Sequence, residues 1–128
     1  MRVLLDTHAL LWSAIDEKKL SRKARSLIES LKTEVYVSAA SVWEVSTKVR
    51  LGKLPQAVAF SAEFAENLQR IGFLELPITI HHAQRAGQLP GPHRDPFDRI
   101  LIAQSQAENM SIVSNEKIFD QYGIHRVW

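Results

Sequence analysis

The chain has 128 residues, 45% of them hydrophobic and 23% charged. That is one domain's worth of sequence, residues 1–128, with apolar material for one sizeable core, and it excludes a disordered chain. Sixteen Lys and Arg face fourteen Asp and Glu, and there is no cysteine. This excludes disulfides, thiol nucleophiles, zinc fingers and iron–sulfur ligation, and makes the distribution of charge more informative than its sum.

Val3-Leu4-Leu5 predicts a buried strand ending at Asp6, followed by a helix over Ala9 to Ile15. Ser21 is expected to cap a second helix, in which Ala24, Leu27, Ile28 and Leu31 recur at i, i+3, i+4 and i+7. Val35-Tyr36-Val37 reads as the second strand, and Ser41 as the start of a third helix that runs to about Val49 and stops near Gly52. Phe60, Phe64 and Leu68 mark one face of a fourth helix, and Phe73 to Leu76 a third strand closed by Pro77. Thr79 to Gln88 is the fifth helix. One irregular stretch follows, Leu89 to Pro96, ending in Asp95-Pro96, an N-cap and first-turn pair that launches a helix from Phe97 to about Asn109. Ser111-Ile112-Val113 is the fourth strand, a short helix lies around Lys117 to Gln121, and His125-Arg126-Val127 is the last strand.

Short apolar strands alternating with longer periodic helices predict βαβ units and a parallel sheet. No apolar run approaches the roughly 20 residues of a membrane helix. The first carboxylate comes too early for a signal peptide, so the chain reads as soluble and cytoplasmic.

In an open parallel sheet, ligands bind beyond the carboxyl ends of the strands. Asp6 follows strand one, Glu44 falls in the first turn after strand two, and Glu116 follows strand four. Asp98 begins the helix that runs down into strand four, with Asp95 one turn earlier. These acids, distant in sequence, are expected to converge on one rim. Clustered carboxylates repel and raise one another's pKa, so the cluster calls for a cation, and oxygen ligands without cysteine favour Mg²⁺ or Mn²⁺ over zinc. Each acid also has a plain structural reading. Glu44 completes a Ser41-x-x-Glu44 capping box, Asp98 and Glu116 complement helix starts, and Asp95 is an N-cap. Asp6, directly on the end of an apolar strand, is the hardest to read as decoration.

Three segments carry a resemblance. Leu4-Leu5-Asp6-Thr7-His8-Ala9-Leu10-Leu11-Trp12, Ser38-Ala39-Ala40-Ser41-Val42-Trp43-Glu44 and His93-Arg94-Asp95-Pro96-Phe97-Asp98-Arg99-Ile100-Leu101-Ile102-Ala103-Gln104 resemble the PIN-domain family, and within it the VapC-like toxins of bacterial type II toxin–antitoxin modules. The resemblance implies a PIN-like three-layer α/β/α sandwich with a central parallel sheet of about five strands. It also implies Mg²⁺-dependent endoribonuclease activity that leaves a 5′-phosphate and a 3′-hydroxyl. The family's acids fall on Asp6, Glu44, Asp98 and Glu116. The family's usual Val-Thr-x-Asp stands here as Val113-Ser114-Asn115-Glu116, one methylene longer at the acid.

On this reading Asp6, Asp98, Glu44 and Glu116 are both catalytic and metal-binding. Thr7, Ser41, Ser114, Asn115 and Asp95 support them through hydrogen bonds. Arg99, Arg94, His93 and Lys48 are candidates to hold the RNA backbone. Trp12 and Trp43 are expected in the core, His8 as a packed or capping residue, and the basic run Lys18, Lys19, Arg22, Lys23 and Arg25 on a solvated face. The resemblance further implies RNA as substrate, a cognate VapB-like antitoxin and a homodimer. A non-catalytic PIN-like module that binds RNA or protein is the alternative.

Overall fold

The computed structural model describes all 128 residues. Its core is a five-stranded sheet formed by β1 (Arg2–Leu5), β2 (Glu34–Ser38), β3 (Leu74–Leu76), β4 (Ser111–Val113) and β5 (Arg126–Val127), in the order β3-β2-β1-β4-β5. Every pairing is parallel, with Leu5 opposite both Val37 and Val113. The chain therefore builds outward from β1 on one side, then returns to the other side of the same strand.

The period-two alternation of the strands assigns their side chains to two faces. Val3, Leu5, Val35, Val37 and Val113 pack with α1 (Thr7–Ile15), α2 (Arg22–Glu29), α3 (Ala39–Arg50) and α5 (Phe64–Ile71). Leu4, Ile112 and half-buried Tyr36 pack on the other face with Leu101 and Ile102 of α7 (Pro96–Glu108), which lies against α6 (Ile80–Gln88). Both sheet faces are thus covered, which is why the strands read as continuous apolar runs.

Three expectations change. The third helix begins at Ala39, not Ser41: β2 runs straight into it, and Ser38 Oγ accepts from the Ala40 N–H at 3.0 Å. No capping box forms at Ser41, and Glu44 sits in the second turn. The fourth helix is two pieces, α4 (Val58–Ala62) and α5, broken at Glu63 (φ −129°, ψ 53°). Phe60 and Phe64 still meet edge to face across the break at 5.1 Å, and Asn67 Nδ2 donates to the Phe60 carbonyl at 3.0 Å. The second helix ends at Glu29, so Leu31 lies beyond it, exposed, instead of completing the apolar stripe.

Candidate metal centre

Asp6 leaves the end of β1 and caps α1, its Oδ1 accepting from the Ala9 N–H at 2.8 Å. It is 2% exposed. Burial in this apolar setting, only partly offset by Ser114, the Ala9 N–H and His8, pushes its pKa up to about 6. Asp98 is the third residue of α7, whose N-cap is Asp95: Asp95 Oδ1 accepts from the Phe97 and Asp98 N–H groups at 2.9 and 3.3 Å. Burial and the neighbouring Asp95 and Glu116 carboxylates push Asp98 up to about 7, against the hydrogen bond from His93. Glu116 follows β4, where the buried Ser114 hydroxyl accepts its N–H at 2.9 Å and Asn115 points into solvent.

Glu44 stands apart from these three. Thr7 Oγ1 donates to Glu44 Oε1 at 2.7 Å, and Ser41 Oγ lies 3.0 Å from the same Thr7 oxygen. Lys48 Nζ donates to Glu44 Oε2 at 2.6 Å, one helical turn on. That bond is the main reason the Lys48 ammonium titrates above its ordinary range, with Asp95 and Asp98 adding to it. Both Glu44 oxygens are therefore occupied, and Ser41, the expected helix start, instead faces inward under Glu44.

Two sets of ligand-type groups have their donor atoms within 4.8 Å of one another: Asp6, His8 and Glu116; and His93, Asp98 and Glu116. Glu116 belongs to both and joins the two halves of the rim. The set offers carboxylate oxygens and two imidazole nitrogens without a thiolate, and two of its carboxylates are held above their ordinary pKa by burial. A divalent cation fits such a site, because its positive charge offsets the repulsion among these carboxylates and favours their ionised form.

The histidines are the residues that motif reading placed least well. His8 is not packed or capping. Its ring stacks on Trp12 (5.5 Å between centroids, 23° between planes), and its Nδ1 lies 3.4 Å from Glu116 Oε1. His93, expected to touch RNA, has its Nε2 2.8 Å from Asp98 Oδ2. Sequence offers only an i, i+5 spacing for that pair, across a loop of irregular backbone. Trp43, expected in the core, is 66% exposed and meets Phe97 edge to face at 5.1 Å. Neither an exposed nor a buried Trp is distinguishable by helical spacing at the edge of a stripe.

Arg99 also differs from expectation. Its guanidinium donates to the carbonyls of Ala86 (3.2 Å), His93 (2.8 Å) and Leu89. It ties the end of α6 and the loop before α7 together and has little left to offer a phosphate. Tyr122 secures the same loop: its hydroxyl accepts the His93 N–H at 3.0 Å, and its ring lies over Gly91, where φ is +101° and a Cβ would come 2.8 Å from the hydroxyl oxygen. Arg99→Lys keeps the charge but loses the planar fork. It is expected to cost about 2 kcal/mol in a urea melt and to speed proteolysis between residues 89 and 95. An unchanged melt would remove this role. Of the other basic candidates, Arg94 is exposed, and the run at the second helix pairs locally, Lys19 with Asp16 and Arg25 with Glu17 and Glu29.

Fold and rim together define a three-layer α/β/α domain whose acids gather at the carboxyl edge of a parallel sheet. The chain belongs to the PIN domain family, whose model matches residues 3–124. It is 30% identical over 64 residues to Ribonuclease VapC16 of Mycobacterium tuberculosis, a match covering 50% of this chain and less than half, 44%, of that relative. Among solved structures, VapBC2 of Rickettsia felis, bound to a promoter DNA fragment, superposes with a TM-score of 0.71 at 15% identity, covering 98% of this chain and 97% of the other. VapC20 of Mycobacterium tuberculosis, a toxin that cleaves the sarcin–ricin loop, gives 0.64 at 17% identity, covering 95% of each chain.

Proposed function

We propose that the chain is a Mg²⁺-dependent endoribonuclease and the toxin of a type II toxin–antitoxin module, working in the cytoplasm. The observation that carries the reading is the placement of Asp6, Asp98 and Glu116 on one rim, the first two with pKa values raised by burial and with only a histidine, His8 and His93 respectively, to offset it. Family membership and the similarity to VapC proteins support it. A divalent cation bound there supplies Lewis acidity, which lowers the pKa of water and offsets charge on phosphoryl oxygens.

The chain's own groups do the remaining work. Asp6, Asp98 and Glu116 hold the cation. Asp95 fixes the first turn of α7 and hence the Asp98 backbone, and Ser114 fixes the turn that carries Glu116. Thr7 and Ser41 orient Glu44, which holds Lys48. An ammonium has three donors, and Lys48 uses one on Glu44, so it can meet an RNA phosphate at the mouth of the site. Arg94 in the loop above is the second phosphate contact. The similarity to VapBC2 supports a VapB-like antitoxin as partner.

Purified protein is expected to cleave RNA with Mg²⁺ and to stop with a chelator. Asp98→Asn is expected to reduce cleavage by at least about 100-fold with the fold intact, since it removes charge from the ligand set without changing shape. Cleavage by Asp98→Asn at the parental rate and with the same metal dependence would remove this site assignment.

A further inference from the structure

His93 is built into the rim from four sides. Its Nε2 lies 2.8 Å from Asp98 Oδ2, its N–H is taken by Tyr122, its carbonyl by Arg99, and its ring stands edge to face on buried Phe119 at 6.1 Å. Its side chain is only 15% exposed, as is typical of a packed residue, yet the ring nitrogen is turned to the carboxylates instead of the core. His8 is a contrast: its side chain is 53% exposed, its Nδ1 lies 3.4 Å from Glu116 Oε1, and its ring rests only on Trp12.

The geometry points to His93 Nε2 as a direct ligand, with Asp98 and Glu116, of the divalent ion this rim takes, so that the site prefers an ion that accepts nitrogen, Mn²⁺, over Mg²⁺. This rests on the metal-dependent reading above and adds a donor to it. Adjacent donors around an ion with bonds of about 2.1 Å are about 3 Å apart. The His93–Asp98 separation already has that length, so both atoms can meet one ion with small movement of either side chain. Mg²⁺ holds oxygen and keeps its waters, whereas imidazole suits the transition ions and raises their affinity selectively. The clamps on both sides of the His93 peptide keep the ring from being pulled aside, as ligand-orienting contacts do in metal sites.

The test is pulsed electron paramagnetic resonance of Mn²⁺ bound to the whole protein, with natural and with ¹⁵N-labelled histidine. The expected result is a nitrogen coupling that changes with the label, persists in His8→Gln, and is lost in His93→Gln and in Asp98→Asn. By calorimetry, His93→Gln is expected to weaken Mn²⁺ by at least about tenfold and Mg²⁺ by no more than about twofold. If His93→Gln does not fold, the labelled parent and His8→Gln decide by themselves. Mn²⁺ bound without histidine coupling, or a coupling that disappears in His8→Gln, overturns the inference and leaves the nuclease reading standing. No Mn²⁺ or Mg²⁺ binding at all, together with no cleavage, overturns both.

Discussion

Asp6→Asn is expected to abolish RNA cleavage and, in the same protein, to raise the stability of the metal-free fold at pH 8. The two effects have one cause. Asp6 is almost fully buried, and burial holds its pKa at about 6, against an ordinary value of 3.8. A carboxyl whose folded-state pKa is raised binds its proton more tightly when folded. Its contribution to stability is complete below about pH 4 and is lost as pH rises through about 6. Above that pH the fold carries a buried charge at a cost of about 3 kcal/mol. Asparagine keeps the oxygen that caps α1 and caps as well as aspartate, but gives up the charge and a small favourable term with the helix dipole. A net gain of about 2 kcal/mol follows for the metal-free protein at pH 8, together with a flatter dependence of melting temperature on pH between 4 and 7. Cleavage falls by at least about 100-fold, because a neutral amide is a poor ligand for a hard cation. Melting curves with and without Mg²⁺ check this directly: the metal stabilises the parent and leaves Asp6→Asn almost unmoved. A variant that melts lower than the parent at pH 8, without metal, would show that Asp6 is structural.

Phe119→Ala is expected to have the largest effect on stability, about 3–5 kcal/mol. Phe119 lies on the short 3₁₀ turn Lys117–Tyr122, fully buried against Leu4, Leu76, Leu101, Ile102, Met110 and Ile112. Its removal opens a cavity among residues of the central sheet and of α7. A domain of this size has about 5–15 kcal/mol in all, so the variant is left with a fraction of its stability. The midpoint of a urea melt falls with an unchanged slope. Phe119→Leu, which keeps most of the volume, costs about 1 kcal/mol. A loss below about 1 kcal/mol for the alanine variant would contradict the packing described. His93 rests on the same ring, so the alanine variant also loosens the loop beside Asp98.

The strands and the rim were legible because they follow from strong, local signals. An apolar run ending in a carboxylate placed Asp6, and Asp95-Pro96 placed the start of α7. The signals that failed were degenerate ones. Ser38 and Ser41 both precede an apolar helix, and only the Ser41-x-x-Glu44 spacing suggests a capping box. The choice between them is made by β2, whose last residue, Ser38, is also the cap. Arg99 reads like any basic residue beside an acid, and its three carbonyl partners lie in segments that no periodicity brings together. The ion pair of Glu44 with Lys48 was available as an i, i+4 spacing. The second partner of Glu44, the Thr7 hydroxyl, comes from α1, and no spacing in the sequence brings those two residues together.

The strand order β3-β2-β1-β4-β5 has a consequence for how activity arises during folding. Asp6 directly follows β1, while Asp98 and Glu116 come from the segment that returns to pair β4 with that strand. The first half of the molecule, through β3, holds Asp6 and Glu44 without either partner carboxylate. A partly formed chain therefore cannot assemble the rim, however well β1, β2 and β3 pair. Closure of β4 on β1 is a contact of long sequence separation, the kind that forms slowly and with the rest of the fold. The three carboxylates are thus brought together in one cooperative event, so a half-folded molecule has no assembled rim.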